Sequence, residues 1–227
     1  MKMKPTSKNK ITASAFTLIE LLVVISIIAV LAAFTIPVVG SLKKQQYINH
    51  TRSELELIAT AIDRYKADYG FYPPSAANAV TNQLYYELEG TTFGGGTYTN
   101  LDGGASINTN NLSAYFSVSG ILNCTQSTGE DSKKAKSYLS DLKPGQIASN
   151  GVVTVLVGSV SGLDPSYQPM SGFTSGSGNN ANPFRYNSAN PTNNPNSYDL
   201  WIQLQLSGKK YLICNWSKQV QINSPLP

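Results

Sequence analysis

Between Phe16 and Gly40 the chain carries a single ionisable side chain, Glu20, near the front of the run Phe16-Thr17-Leu18-Ile19-Glu20-Leu21-Leu22-Val23-Val24-Ile25. A carboxylate in so apolar a stretch costs about 2.5–3.5 kcal/mol on membrane-insertion scales, so it requires a partner or a task. Other residues offer less. Cys124 and Cys214 are the only cysteines; they leave a disulfide open, against two separate buried thiols. His50, the only histidine, falls in a predicted helix far from both cysteines, which leaves no zinc set and no Ser/His/Asp arrangement. The acids Glu87, Glu89 and Asp102, and likewise Glu130 with Asp131, read as solvated faces rather than catalytic pairs, and Asp164 and Asp199 read the same way. Gly94-Gly95-Gly96 and Gly103-Gly104 lack a flanking strand and helix and read as turns, not anion cradles. No Gly-x-Ser-x-Gly elbow or phosphate-binding loop occurs. The expectation is a non-enzyme with no catalytic residues, no metal and no cofactor.

The elements that would position Glu20 begin with the apolar run itself. At 1.5 Å per residue it measures roughly 37 Å, enough to span a hydrocarbon core of about 30 Å with some tilt. Lys2, Lys4, Lys8 and Lys10 precede it and no acid does, which places the N-terminus in the cytoplasm and the remainder outside. Ala13-Ser14-Ala15 suits the ordinary secretory peptidase, but that enzyme needs the apolar segment ahead of its cut, and here it follows. The formal charge of +4 resides in those four lysines: without them 13 basic side chains meet 13 acidic ones. Nothing basic remains to recruit nucleic acid.

Pro37 falls late in the run and favours a kink rather than a stop, because helical signals resume after it. Beyond it Leu42, Ile48, Leu55, Ile58, Ile62, Tyr65 and Tyr69 form an apolar stripe at helical spacing. Gly70 is placed to cap this helix, and Tyr72-Pro73-Pro74 prevents its continuation. Leu84, Tyr85 and Leu88 suggest a short second helix. Strands are predicted at Val152–Val157, Asp199–Leu206 and Lys210–Asn215, the last two joined at Ser207-Gly208. Residues 90–130 and 165–197, rich in Gly, Ser, Thr and Asn, read as long surface loops. The fold class is α+β: a long N-terminal helix, membrane-spanning in its first half, with its second half against a small antiparallel sheet. The divisions are a leader at 1–15, an assembly helix at 16–40, an amphipathic helix at 41–70 and a globular head at 71–227.

The block Ala15-Phe16-Thr17-Leu18-Ile19-Glu20 ahead of an apolar helix resembles the processing and methylation signal of type IV pilins and type II secretion pseudopilins. Ile62–Pro73, with its Gly70-Phe71-Tyr72-Pro73 ending, is similar to the helix-to-loop junction of major pseudopilins. Asn182–Tyr186, Asn196–Trp201 and Cys214-Asn215-Trp216 are similar to their terminal strands. The resemblance implies a pilin-like head, cleavage between Ala15 and Phe16 by a prepilin peptidase, and N-methylation of Phe16. It also implies that Glu20 fixes register by pairing with the amine of a neighbouring subunit. The family usually has Gly where this chain has Ala15. The implied function is a structural subunit of a periplasmic pseudopilus for type II secretion, single-pass in the inner membrane. Its partners would be copies of itself, other pseudopilins or pilins, the peptidase/methyltransferase, an inner-membrane assembly platform and the bilayer. A type IV pilus subunit and a signal-anchored binding protein are the alternatives. Major pseudopilins usually bind calcium through an acidic loop between the terminal strands; here Trp201–Trp216 contains no acid, and Lys209-Lys210 at the turn would repel the ion. A Cys124–Cys214 disulfide could instead hold the terminal strand.

Overall fold

The computed structural model describes residues 16–75, 79–125, 134–139, 142–160, 170, 172–176 and 181–225, and of residues 34–39 the backbone alone. The chain divides into two compact units, Met1–Lys43 and Lys44–Pro227.

Helix α1 (Leu18–Tyr69) starts and stops where local chemistry dictates. At its start the Thr17 hydroxyl accepts the amide of Glu20 at 3.4 Å, while the Glu20 carboxylate accepts the amide of Thr17 at 2.8 Å. This reciprocal cap satisfies two donors that a helix end leaves open. At its end Gly70 adopts φ +83 and donates its N–H to Lys66 O at 2.7 Å, the left-handed cap that glycine allows. The helix runs on through Pro37. Among the described residues no helix is long and apolar enough to cross a membrane; the continuous run of described side chains from Phe16 ends at Ala33, ahead of residues 34–39. In the second unit α1 buries Ile48, Leu55, Ile58, Ile62 and Tyr65. Leu42, expected in the same stripe, is instead exposed and belongs to the first unit.

After α1 come α2 (Leu84–Glu89), strands β1 (Thr91–Gly94), β2 (Thr97–Asn100) and β3 (Ser106–Asn108), helix α3 (Thr109–Phe116) and β4 (Cys124–Thr125). The next strands are β5 (Ile147–Ser149), β6 (Thr154–Gly158), β7 (Thr174–Ser175), β8 (Asn182–Pro183) and β9 (Arg185–Asn187). The last are β10 (Asp199–Leu206), β11 (Lys209–Cys214) and β12 (Gln221–Ile222). The architecture is α+β and pilin-like, with more sheet than the sequence suggested. Among the described residues three four-stranded sheets form, in the orders β3-β2-β1-β4, β7-β5-β6-β8 and β12-β11-β10-β9.

Pairing is antiparallel except between β1 and β4. The expectation of unbroken surface loops at 90–130 and 165–197 is therefore corrected. Thr91–Gly94 and Thr97–Asn100 make a hairpin over Gly95-Gly96, both at positive φ. Thr, Phe and Tyr flanking a Gly-Gly pair are strand formers around a tight turn. The β10–β11 hairpin closes at Ser207-Gly208 with φ +52 and +74, the geometry that continues strand twist.

The sheets and helices enclose a core in which Tyr65, Tyr85, Tyr86, Tyr186, Phe116 and Phe184 are fully buried. Tyrosine in such a core needs a polar partner for its hydroxyl: Tyr86 takes the amide of Thr154 at 3.1 Å and Tyr186 donates to Pro73 O at 2.7 Å. Gly90 joins α2 to β1 at φ +75, and a Cβ there would stand 2.8 Å from Lys136 O, so both its conformation and its space exclude a side chain.

The two cysteines are free, which corrects the disulfide expectation. Cys124 pairs opposite Thr91 in the first sheet and feels the charge of Glu87. Cys214 pairs opposite Trp201 in the last sheet and feels Arg52. Tyr69, beside Cys124, and Arg52, beside Cys214, are about 25 Å apart along α1. A disulfide needs Cα atoms within about 7 Å. The terminal strand is held instead by Trp201 against Trp216, centroids 5.9 Å apart, and by the Asn215 carboxamide, which accepts Leu200 N–H at 3.0 Å and donates to Tyr198 O at 2.9 Å.

Candidate functional site

The N-terminal segment brings together Phe16 and Glu20. Ala15 lies outside the described residues. Glu20 Oε2 accepts both the amide and the hydroxyl of Thr17, at 2.8 and 2.6 Å, so in the single chain it has a local partner. The sequence pattern Thr17-x-x-Glu20 is a capping-box signature that could have shown this. Phe16, Ile19, Glu20, Val23 and Val24 line an apolar notch of about 330 Å³. From Phe16 to Ala33 every side chain is exposed, Leu18 to 84% and Phe16 to 75%. A run of apolar side chains presented this way is a binding surface, since soluble monomers rarely leave a contiguous patch of that size uncovered.

In the head, three acids expected on solvated faces are buried. Glu87 is wholly inaccessible and accepts Leu122 N–H at 2.9 Å, Asn123 N–H at 3.0 Å and Tyr65 O–H at 3.1 Å. Burial pushes its pKa up, while these three donors pull the other way. Asn123 completes the arrangement by donating to Glu87 O and Lys136 O and accepting from Tyr69 O–H. The cluster ties α1, α2 and the segment before β4 together.

Glu89 is pushed up to about 7, by burial first and then by the charge of Asp102. Asp199 accepts the amides of Thr192, Asn193 and Asn194 at 2.8, 2.9 and 2.9 Å, closing the loop ahead of β10. Sequence reasoning missed Glu87 and Glu89 because Tyr65, Leu122 and Asn123 serve the first and Ser137 the second from far along the chain, and missed Asp199 because its donors are backbone amides, which carry no side-chain signal. Glu130, Asp131 and Asp164 lie outside the described residues.

Among the described residues His50 gathers an arrangement that resembles a catalytic relay. Its Nε2 stands 2.9 Å from Ser159 Oγ and 3.5 Å from Glu54 Oε1. A relay needs the serine and the acid on opposite ring nitrogens; here both address the same one. Glu54 meanwhile accepts Ser159 N–H at 3.2 Å, so the group acts as a tether between α1 and the end of β6. Among the described residues no group of three His, Cys, Asp or Glu side chains stands together to hold a metal ion. At the β10–β11 turn, where a calcium loop would lie, stand Ser207, Gly208, Lys209 and Lys210.

A profile of the prokaryotic N-terminal methylation motif matches residues 12–36. The type II secretion system core protein G of Pseudomonas aeruginosa is 42% identical over 60 residues, which is 26% of this chain and 42% of that protein. The chain thus matches less than half the length of that curated relative. No solved structure matches the chain. Phe16 and Glu20 thus stand inside a matched prepilin-type methylation motif ahead of an α+β pilin-like head, and over 26% of its length the chain is similar to a type II secretion core protein.

Proposed function

We propose that the chain is a pseudopilin: a structural subunit that polymerises through its N-terminal helix into a periplasmic pseudopilus for type II protein secretion. The observation that carries this reading is the methylation motif at residues 12–36, at the start of a helix whose side chains from Leu18 to Ala33 are all exposed, with Glu20 in the first turn. Cleavage between Ala15 and Phe16 would free an amine, methylated on Phe16. Before assembly the run Phe16–Gly40 would cross the inner membrane with the N-terminus cytoplasmic and the head periplasmic.

In the filament that run is covered by the same run of neighbouring subunits, and Glu20 exchanges Thr17 for a neighbour's amine. The exchange offsets the cost of burying either charge alone and selects one axial step between subunits. Pro37, lacking one backbone hydrogen bond, is the point at which α1 yields to bending. Partners on this reading are further copies, other pseudopilins, the prepilin peptidase and methyltransferase, and an inner-membrane assembly platform.

The test is Glu20→Ala in the native host. Loss of pseudopilus and of secretion, with the head's thermal unfolding unchanged, is the expected result. Intact filaments and undiminished secretion would contradict the reading.

A further inference from the structure

The fold gathers lysines at the corner of the second unit where α1 enters it. Lys44 opens that unit, and its Nζ stands 5.6 Å from the centroid of the Tyr211 ring, within range of a cation–π contact. Tyr211 belongs to β11, whose first two residues are Lys209 and Lys210. The turn at Ser207-Gly208 delivers Lys209 opposite Leu206. Alternation along the strand puts Lys209 on the face of Tyr211 and Lys210 on the other. β12 fixes this tip: Lys210 N–H donates to Asn223 Oδ1 at 3.0 Å, and Asn223 N–H donates to Lys210 O at 2.8 Å. Lys209 and Lys210 are exposed, and Lys44 is partly so.

No acid answers these cations. Residues 41–53 and 201–216 contain none, and the ion pairs among the described residues, His50–Glu54 and Lys136–Asp68, involve none of the three lysines. Without the leader the chain carries 13 basic and 13 acidic side chains, so three unanswered lysines at one corner are a local excess.

Lysines at a hairpin tip are commonly just solvated; the position of Lys44 is what selects an occupant. On the proposed function the apolar run ends at Gly40. Four residues reach at most about 14 Å even when fully extended, so Lys44 stands no farther than that from the end of the run. The headgroup layer is itself roughly 5–7 Å deep on each side of the hydrocarbon core, and the Debye length at physiological ionic strength is about 8 Å. The chain therefore holds this corner within reach of lipid phosphates, at an effective concentration that no dissolved anion or acidic protein matches.

We propose that this corner is a docking surface for anionic phospholipid: Lys44, Lys209 and Lys210 seat the head on the periplasmic leaflet from which α1 emerges, before the subunit enters a filament. The inference rests on the membrane-spanning reading of Phe16–Gly40. Each lysine close to an anionic surface adds to the attraction. Ammonium groups meet phosphate as point charges, so the surface reads charge rather than one particular headgroup.

The experiment places the ¹⁵N-labelled full-length chain in nanodiscs that carry a trace of headgroup-spin-labelled lipid and reads the paramagnetic broadening of the Gly208 and Lys209 amides. Discs of phosphatidylcholine are compared with discs in which a third of the lipid is phosphatidylglycerol. Several-fold stronger broadening in the anionic discs is expected. It should vanish at about 1 M salt, where the Debye length falls to about 3 Å. It should vanish also in the combined Lys44→Gln, Lys209→Gln, Lys210→Gln variant and persist when the same three positions become Arg. Equal broadening in the two lipids, or broadening that survives the Gln variant, overturns the proposal. Suppression by inorganic phosphate at constant ionic strength overturns it too, because the corner would then be a site for the free ion. Access of a water-soluble relaxation agent to the amides of residues 21–28 separates the two readings. If the agent reaches them, the run is not embedded and both readings fall; if it does not, while Gly208 and Lys209 respond alike in both lipids, only the docking surface falls.

Discussion

Glu87 accepts hydrogen bonds from two backbone amides and one phenol, so truncating it opens three buried donors at once. Glu87→Ala is expected to destabilise the head by about 3 kcal/mol or more, a fall in Tm of roughly 6–12 °C by calorimetry. Glu87→Gln should fall between, because it keeps one acceptor and turns an NH₂ toward N–H donors. Glu89 makes a different prediction. Its folded pKa, about 7, lies above the ordinary 4.5. Its contribution is therefore fully present below about pH 4.5 and is lost as the pH rises through about 7. After allowance for solvent screening the loss is about 1–2 kcal/mol. Urea unfolding on either side of this window should show the parent weakening with pH and Glu89→Gln holding steadier. None of this was legible locally. Tyr85-Tyr86-Glu87-Leu88-Glu89 gives no sign of which face is buried, because Leu122 and Asn123 supply the burial from far along the chain.

The elements that could be read in advance are those set by adjacent residues. Thr17 and Gly70 bound α1, Leu84 to Glu89 form the short helix, and Ser207-Gly208 joins the terminal strands, each through chemistry confined to a few neighbouring positions. The first sheet escaped notice because Thr, Gly and Asn carry little apolar alternation, although Gly95-Gly96 between Thr- and aromatic-rich segments was an available signal. The cysteine pairing failed for another reason: sequence separation says nothing about which sheet a strand joins. The turn between β10 and β11 offers a direct check on the element scale. Gly208→Ala forces a Cβ into φ +74 and should cost about 1 kcal/mol. Gly90→Ala adds a backbone clash with Lys136 O to the same strain and should cost about twice as much or more. Chemical denaturation of the two variants ranks them. Equal losses would mean that the segment at Lys136 yields freely.

At the scale of the whole molecule the chain joins two kinds of surface. The second unit buries its apolar side chains in a core stitched by tyrosines and carboxylates, whereas the described apolar residues of the first unit from Phe16 to Ala33 lie open. Hydrophobic surface left open on that scale drives association, and on the proposed reading Glu20 is the charge that selects among registers. On that reading both depend on Phe16 becoming the first residue, because an uncut leader would carry its lysines into the contact and leave no amine for Glu20. The most direct measurement is therefore the intact mass and N-terminal sequence of the protein purified from its own membranes. The account predicts a chain that begins at Phe16 and carries one methyl group on its amine. A chain that still begins at Met1 would contradict it.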